Sequence, residues 1–271
     1  MPSFTSLAHG GDRRARTLVT AAIVLSLVFG VTAARATTTP PTPAAPTTTF
    51  DNHMVESFSA SGWWNAWGLT TMPWHTTMVT EAGNQFLRVN FPAGSHNGTS
   101  FDWLTGTADA AHIQYRIRLS SNWQSAGAKL PGFGDPTYNA DGTCSGGCGL
   151  APANGITSWS ARGHLNRWNV PGSYLYTPSK TEWTFQWDTS TLVPGKWYTI
   201  DYWVTMNTPG QSDGILSAAV NGQQVFRSTD MTFRLVDSLH VGKAWFGFYY
   251  GGTSTPMQNM WIDVDDITVD W

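Results

Sequence analysis

Beyond residue 50 the chain reads as a series of short runs rich in β-branched and aromatic residues, broken by turn pairs. "QFLRVNFPAG", "HIQYRIRLSS", "WYTIDYWVTMN", "LSAAVNGQQVF", "AWFGFYYGG" and "WIDVDDITVDW" are of this kind. Many alternate apolar with polar side chains, the period of a half-buried strand. Asn221-Gly222 is a two-residue hairpin signal, and Pro194-Gly195 and Pro209-Gly210 mark further turns. No segment carries a long amphipathic helical repeat. The expected fold is therefore all-β: a two-sheet antiparallel sandwich of the β-jelly-roll kind, with a concave substrate groove on one face.

The first part of the chain does not follow this pattern. Arg13, Arg14 and Arg16 precede the apolar run "TLVTAAIVLSLVFGV", and Ala34-Arg35-Ala36 fits a small-x-small cleavage site. Residues 1–36 thus read as a secretory signal peptide, too short in its apolar part for a comfortable membrane span. Residues 37–49, "TTTPPTPAAPTTT", lack charge and apolar periodicity and read as a Thr/Pro/Ala-rich linker. Residues 50–271 then form one domain. The expected product is a secreted, extracellular monomer with no stable membrane association after signal cleavage. In an exported chain the closely spaced Cys144 and Cys148 are expected to form a disulfide.

Charge and residue scarcity narrow the chemistry. The net charge is −3, which gives no basic field for nucleic acid. Only three glutamates occur, Glu56, Glu81 and Glu182, so the paired carboxylates of most glycosidases have few candidates. Asp263 and Asp265 share a strand parity and are read as the solvated face of the last strand. There is no Gly-x-Ser-x-Gly elbow and no His-x-x-x-His pair among the seven histidines. No metal and no cofactor are expected.

One stretch does carry a constellation. "SWSARGHLNRWNVPGSYLYTPS" holds Ser160-x-Arg162 and Tyr174-x-Tyr176, with Pro171-Gly172 as a turn-like centre between them. Residues two apart on a strand share a face. If the two strands pair symmetrically about Trp168, Arg162 stands opposite Tyr174 and Ser160 opposite Tyr176. His164 shares the parity of Ser160 and Arg162. Lys129, one of four lysines, precedes a Pro131-Gly132 turn and is read as a loop residue.

Cations, a hydroxyl and phenols without carboxylates suit β-elimination on a uronic-acid polysaccharide. The cations neutralise the sugar carboxylate, and a tyrosine takes the adjacent proton. These residues, in this order and spacing, resemble polysaccharide lyase family 14, whose members cleave alginate or glucuronan by β-elimination on a jelly roll. "KLPGF" resembles its Lys-Leu-Pro-Gly segment, "SARGHL" its Ser-x-Arg strand and "YLY" its Tyr-x-Tyr strand. The resemblance covers most of residues 50–271. It implies catalytic roles for Lys129, Ser160, Arg162, Tyr174 and Tyr176, with Tyr174 favoured as base and acid. His164, His96, Asn97, Tyr249 and Tyr250 are candidate substrate-binding residues, and the partner is an anionic polysaccharide.

Two features depart from the family pattern. The stretch between Lys129 and Ser160 is longer, and Gly163-His164-Leu165-Asn166 stands where a bulky apolar residue and an arginine are more usual. The residues alone leave two further readings open. One is a non-catalytic carbohydrate-binding module. The other is a jelly-roll glycoside hydrolase acting through Asp263 and Asp265 or Glu182.

Overall fold

The computed structural model describes residues 49–135, 137–138, 144–145, 153–178 and 180–271, with backbone alone at 137–138, 144–145 and 180–184. The expected signal peptide, nearly all of the expected linker and the expected Cys144–Cys148 disulfide lie outside what is described. In chain order the strands are β1 (His53–Glu56), β2 (Thr76–Glu81), β3 (Asn84–Phe91), β4 (Asn97–Ala108), β5 (Ala110–Leu119) and β6 (Ala128–Gly134). There follow β7 (Thr137–Tyr138), β8 (Cys144–Ser145), β9 (Ser160–Leu165), β10 (Pro171–Thr177) and β11 (Lys180–Gln186). The last are β12 (Trp197–Thr205), β13 (Gly214–Val220), β14 (Gln223–Met231), β15 (Val241–Tyr250) and β16 (Met260–Asp270).

They form two antiparallel sheets and a small β7–β8 pair. The larger sheet runs β14-β13-β12-β5-β16-β3-β2, with β1 added on β16. The smaller runs β11-β10-β9-β6-β15-β4. The expected two-sheet jelly-roll sandwich is what forms. Among the described residues the helical content is one 3-10 turn, Trp63–Asn65.

Period-2 alternation explains the core. On β5, Ala111, Ile113, Tyr115, Ile117 and Leu119 are buried, while the intervening residues are only partly so. On β9 and β10, Ala161, Leu165 and Leu175 belong to the same core. Ser173 is buried with them and accepts from the Trp187 indole N–H (2.9 Å) and the Tyr202 hydroxyl (2.9 Å). The alternate residues of these two strands therefore point to the outer face of the smaller sheet. The Asn221-Gly222 turn joins β13 to β14 with φ of 51° and 76°, the doubly positive geometry of a type I′ hairpin.

Three local expectations are corrected. Pro131-Gly132 is not a turn: it lies within β6, and Lys129 is a strand residue. A proline in a central strand is tolerated at a bulge, where no ladder N–H is required. Pro131 sits where the β6 pairings to both β9 and β15 skip register. Pro171-Gly172 is also not the turn. It opens β10, while Asn166 and Val170 close the hairpin through Asn166 N–H to the Val170 carbonyl (3.0 Å).

Asp263 and Asp265 are the third correction. Neither is solvated; they are 0% and 1% exposed on the outer face of the larger sheet. Asp263 accepts from Arg88 (2.7 and 3.1 Å) and from Arg118 (3.0 and 2.8 Å). Those guanidiniums in turn lie over Trp261 (4.4 Å) and Trp197 (4.8 Å). A carboxylate on an exposed sheet face becomes buried when paired arginines and indoles roof it. Asp265 accepts from Asn84 (2.8 Å), and burial holds its carboxyl above the ordinary range.

Candidate active site

Cross-strand register builds the site on the outer face of the smaller sheet. One row crosses it as Tyr174 on β10, Arg162 on β9, Gly132 on β6 and Trp245 on β15. The next row runs Gly172, His164, Lys129, Tyr249 and Asn97, from β10 to β4. Lys129, Arg162, His164, Tyr174, Tyr176, Trp245, Tyr249 and Asn97 all line one groove with a cavity volume of about 580 Å³. None of the described residues lining it is acidic.

Gly132 is central to the first row. A Cβ there would stand 2.3 Å from the Ala161 carbonyl oxygen and 2.4 Å from the Arg162 Cα. With no side chain between its two neighbours, the Arg162 guanidinium lies 4.1 Å from the Trp245 ring centroid. Arg162 is only 3% exposed, so it forms the groove floor and its charge is largely withdrawn from solvent.

The Lys129 ammonium is 4.5 Å from the Tyr174 ring centroid, 5.3 Å from Tyr249 and 6.0 Å from Tyr176. The Tyr174 and Tyr176 hydroxyls are 3.2 Å apart. Tyr174 is half-buried, whereas Tyr176 lies deeper, with no exposed surface. The His164 ring stacks on Tyr174 at 5.7 Å. Burial, aided by the charges of Lys129 and Arg162, pulls the His164 imidazole down from 6.5 to about 4. It is therefore neutral at neutral pH.

The hairpin register is the one expected: Arg162 faces Tyr174 and Ser160 faces Tyr176. Ser160 is fully buried and lies beneath the groove rather than on its surface. His96 also stands back from the groove. Its ring stacks on Tyr249 (5.3 Å) and its Nδ1–H donates to the Tyr250 carbonyl (3.0 Å). Tyr250 is a correction. It is 2% exposed and packs edge-on against Trp123 (5.5 Å) in the core, because it alternates with the groove-facing Tyr249.

Several groove residues escape the sequence reading, Trp245 and Trp74 among them. Trp245 was findable, since it shares the parity of Tyr249 on one strand. Trp74 sits in a loop ahead of β2 and carries no such signal. Asp263 and Asp265 belong to the other sheet and are absent from the groove, and the Glu182 side chain is outside what is described.

A model of the polysaccharide lyase 14 family matches residues 79–261 of the chain. No curated protein matches the sequence. Solved structures do resemble it. The PL-14 alginate lyase of Aplysia kurodai superposes with a TM-score of 0.62 at 18% identity, covering 82% of this chain and 99% of that one. The alginate lyase Aly36B, as a double mutant in complex with an alginate trisaccharide, gives 0.63 at 16% identity, covering 82% and 99%. The endo-β-1,4-glucuronan lyase of the fungus Trichoderma reesei gives 0.55 at 14% identity, covering 82% and 95%.

Proposed function

The chain belongs to the polysaccharide lyase 14 family, and from that premise we propose that it cleaves a uronic-acid polysaccharide, alginate or glucuronan, by β-elimination with Tyr174 as base and acid. The observation that carries this reading is the meeting of Lys129, Arg162 and Tyr174 in a groove whose described lining has no carboxylate. A polyanion is attracted into such a groove, and acidic residues there would repel it. Aly36B, which resembles this chain in fold, binds an alginate trisaccharide, and that supports a uronan as the substrate class.

The chemistry follows from charge placement. The hydrogen on the carbon beside the uronate carboxylate is weakly acidic. Its removal spreads negative charge onto that carboxylate. Arg162 and Lys129 neutralise the carboxylate and stabilise the charge as it grows. Arg162 acts from a water-poor floor, where a fixed cation is worth more than in solvent.

Tyr174 takes the proton. The C–H electron pair becomes the new double bond as the neighbouring carbon releases its glycosidic oxygen. That oxygen leaves with a proton from the same tyrosine, so no water is consumed. Nearby cations favour the phenolate that the first step requires. Tyr176 lies deeper and farther from Lys129, and its role is to orient the Tyr174 hydroxyl through their mutual contact. Neutral His164 packs on Tyr174 and offers the substrate a hydrogen-bonding edge without adding charge. Tyr249 and Asn97 bind neighbouring sugar units. The N-terminal residues 1–36 support action outside the cell.

Incubation with mannuronate-rich alginate, guluronate-rich alginate and glucuronan tests the reading. A rise in ultraviolet absorbance from a conjugated, unsaturated sugar is expected on at least one of them. No rise on any uronan across the neutral and alkaline range would overturn it.

A further inference from the structure

Tryptophan is on average a highly buried residue, yet Trp74 is 50% exposed and lines the groove. Its place is at one end. The groove residues come from β10, β9, β6, β15 and β4 in turn, and the loop that carries Trp74 is tied by His75 to Asn97 on β4, the edge strand of that sheet. Four inter-strand steps at about 4.8 Å separate β10 from β4, about 19 Å in all. Trp74 also precedes residue 79, where the family match begins.

The loop that presents Trp74 is fixed from several sides. His75 adopts a left-handed backbone, φ 56°. Its Nδ1–H donates to the Asn97 carbonyl (3.0 Å), which ties the loop to the start of β4. The His75 carbonyl accepts from the Asn90 backbone N–H (2.7 Å) and side-chain amide (3.1 Å). The Thr76 hydroxyl donates to the Pro73 carbonyl. The His75 ring meets the indole edge-on at 4.7 Å. An exposed aromatic held this firmly loses little entropy on binding.

The chemistry of this end differs from that of the centre. On β4, where this loop is tied, the lining is Asn97, Thr99 and Ser100, all uncharged, whereas the two cations lie on β6 and β9 and the phenols on β10 and β15. A neutral indole with amide and hydroxyl neighbours suits the apolar face of a pyranose ring and its hydroxyls.

We propose that Trp74 is a stacking platform for a sugar unit remote from the cleaved bond, which makes this enzyme favour longer uronan chains; the proposal rests on the lyase reading above. Because the contact is remote and present before and during reaction, it acts on substrate binding more than on turnover.

The test uses the mature protein and a length series of oligouronates, from trimer to octamer. Trp74→Ala should raise KM several-fold on the long oligomers and leave the shortest cleavable ones unchanged, with kcat within about twofold throughout. Trp74→Phe should recover most of the loss. Unchanged Tm would show that the exposed side chain was removed without harm to the fold. If wild-type protein cleaves the series and Trp74→Ala has no effect, or an equal effect at every length, the platform is overturned and the lyase reading stands. If wild-type protein forms no unsaturated product on any uronan, the lyase reading fails. Calorimetry with the same oligomers then decides the platform alone: weaker binding by Trp74→Ala supports it, and equal binding overturns it.

Discussion

Lys129 holds its ammonium 4.5 Å from the centre of the Tyr174 ring, although the two residues belong to strands separated by β9. The contact exists because Lys129 pairs with His164 while Tyr174 pairs with Arg162, so the lysine reaches diagonally over the intervening strand. A cation beside a phenol is the electrostatic core of the proposed mechanism, and it separates the roles of the two tyrosines.

Tyr174→Phe should lower kcat by at least about a hundredfold, the usual scale for losing a general acid–base group. Tyr176→Phe should cost about tenfold or less, the scale of one hydrogen bond to the reacting hydroxyl. Steady-state kinetics on the preferred uronan, with Tm measured for both variants, checks the ranking. A larger loss from Tyr176→Phe would reverse the assignment.

Arg162→Lys keeps the charge but loses the planar fork and the stacking over Trp245. We expect kcat/KM to fall roughly a hundredfold, comparable to losing one donor at a developing charge. The loss should appear mainly in kcat. Wild-type kinetics from this variant would show that a point charge is sufficient there.

His164 predicts a pH effect on stability. Its folded value is pulled down to about 4, against an ordinary 6.5. Above pH 6.5 it is neutral whether folded or unfolded and contributes no pH dependence. As pH falls from 6.5 towards 4 the unfolded chain takes up a proton that the folded protein does not. Stability is therefore lost across that window, by up to about 3 kcal/mol at its lower end. Denaturant unfolding of His164→Gln should show a shallower decline than wild type between those pH values. Parallel curves would contradict the shift.

Asp263→Asn tests the roof on the other sheet. It leaves Arg88 and Arg118 without their shared carboxylate, and a loss of about 3 kcal/mol is expected. Activity per folded molecule should be unchanged, because the groove is on the smaller sheet. Lost activity in a fully folded variant would restore Asp263 as a candidate for the chemistry.

What the sequence revealed and what it hid have physical reasons. The pairing of Arg162 with Tyr174 was legible because an antiparallel hairpin of symmetric length leaves one register, and period-2 parity puts Ser160, Arg162, Tyr174 and Tyr176 on a common face. The strand position of Lys129 was not legible. Pro131-Gly132 is a turn signal by local propensity, and only the double register skip on both neighbours makes it a bulge. Parity alone could have separated Tyr249 from Tyr250 and drawn in Trp245. The burial of Asp263 depends on Arg88 and Arg118, residues 175 and 145 positions away, and no local pattern reports such a partnership. Trp74 joins the groove through a loop anchored to β4, a tertiary contact with no periodic signature.

Elimination and hydrolysis differ by one molecule of water, and the mass of the products reads that difference directly. The protein should be incubated with a defined oligouronate in oxygen-18 water and the products weighed. The account predicts fragments whose masses sum to that of the substrate, one of them unsaturated, with no oxygen-18 incorporated. Fragments that together exceed the substrate by one water, carrying oxygen-18 at the new reducing end, would contradict β-elimination and point to a hydrolase.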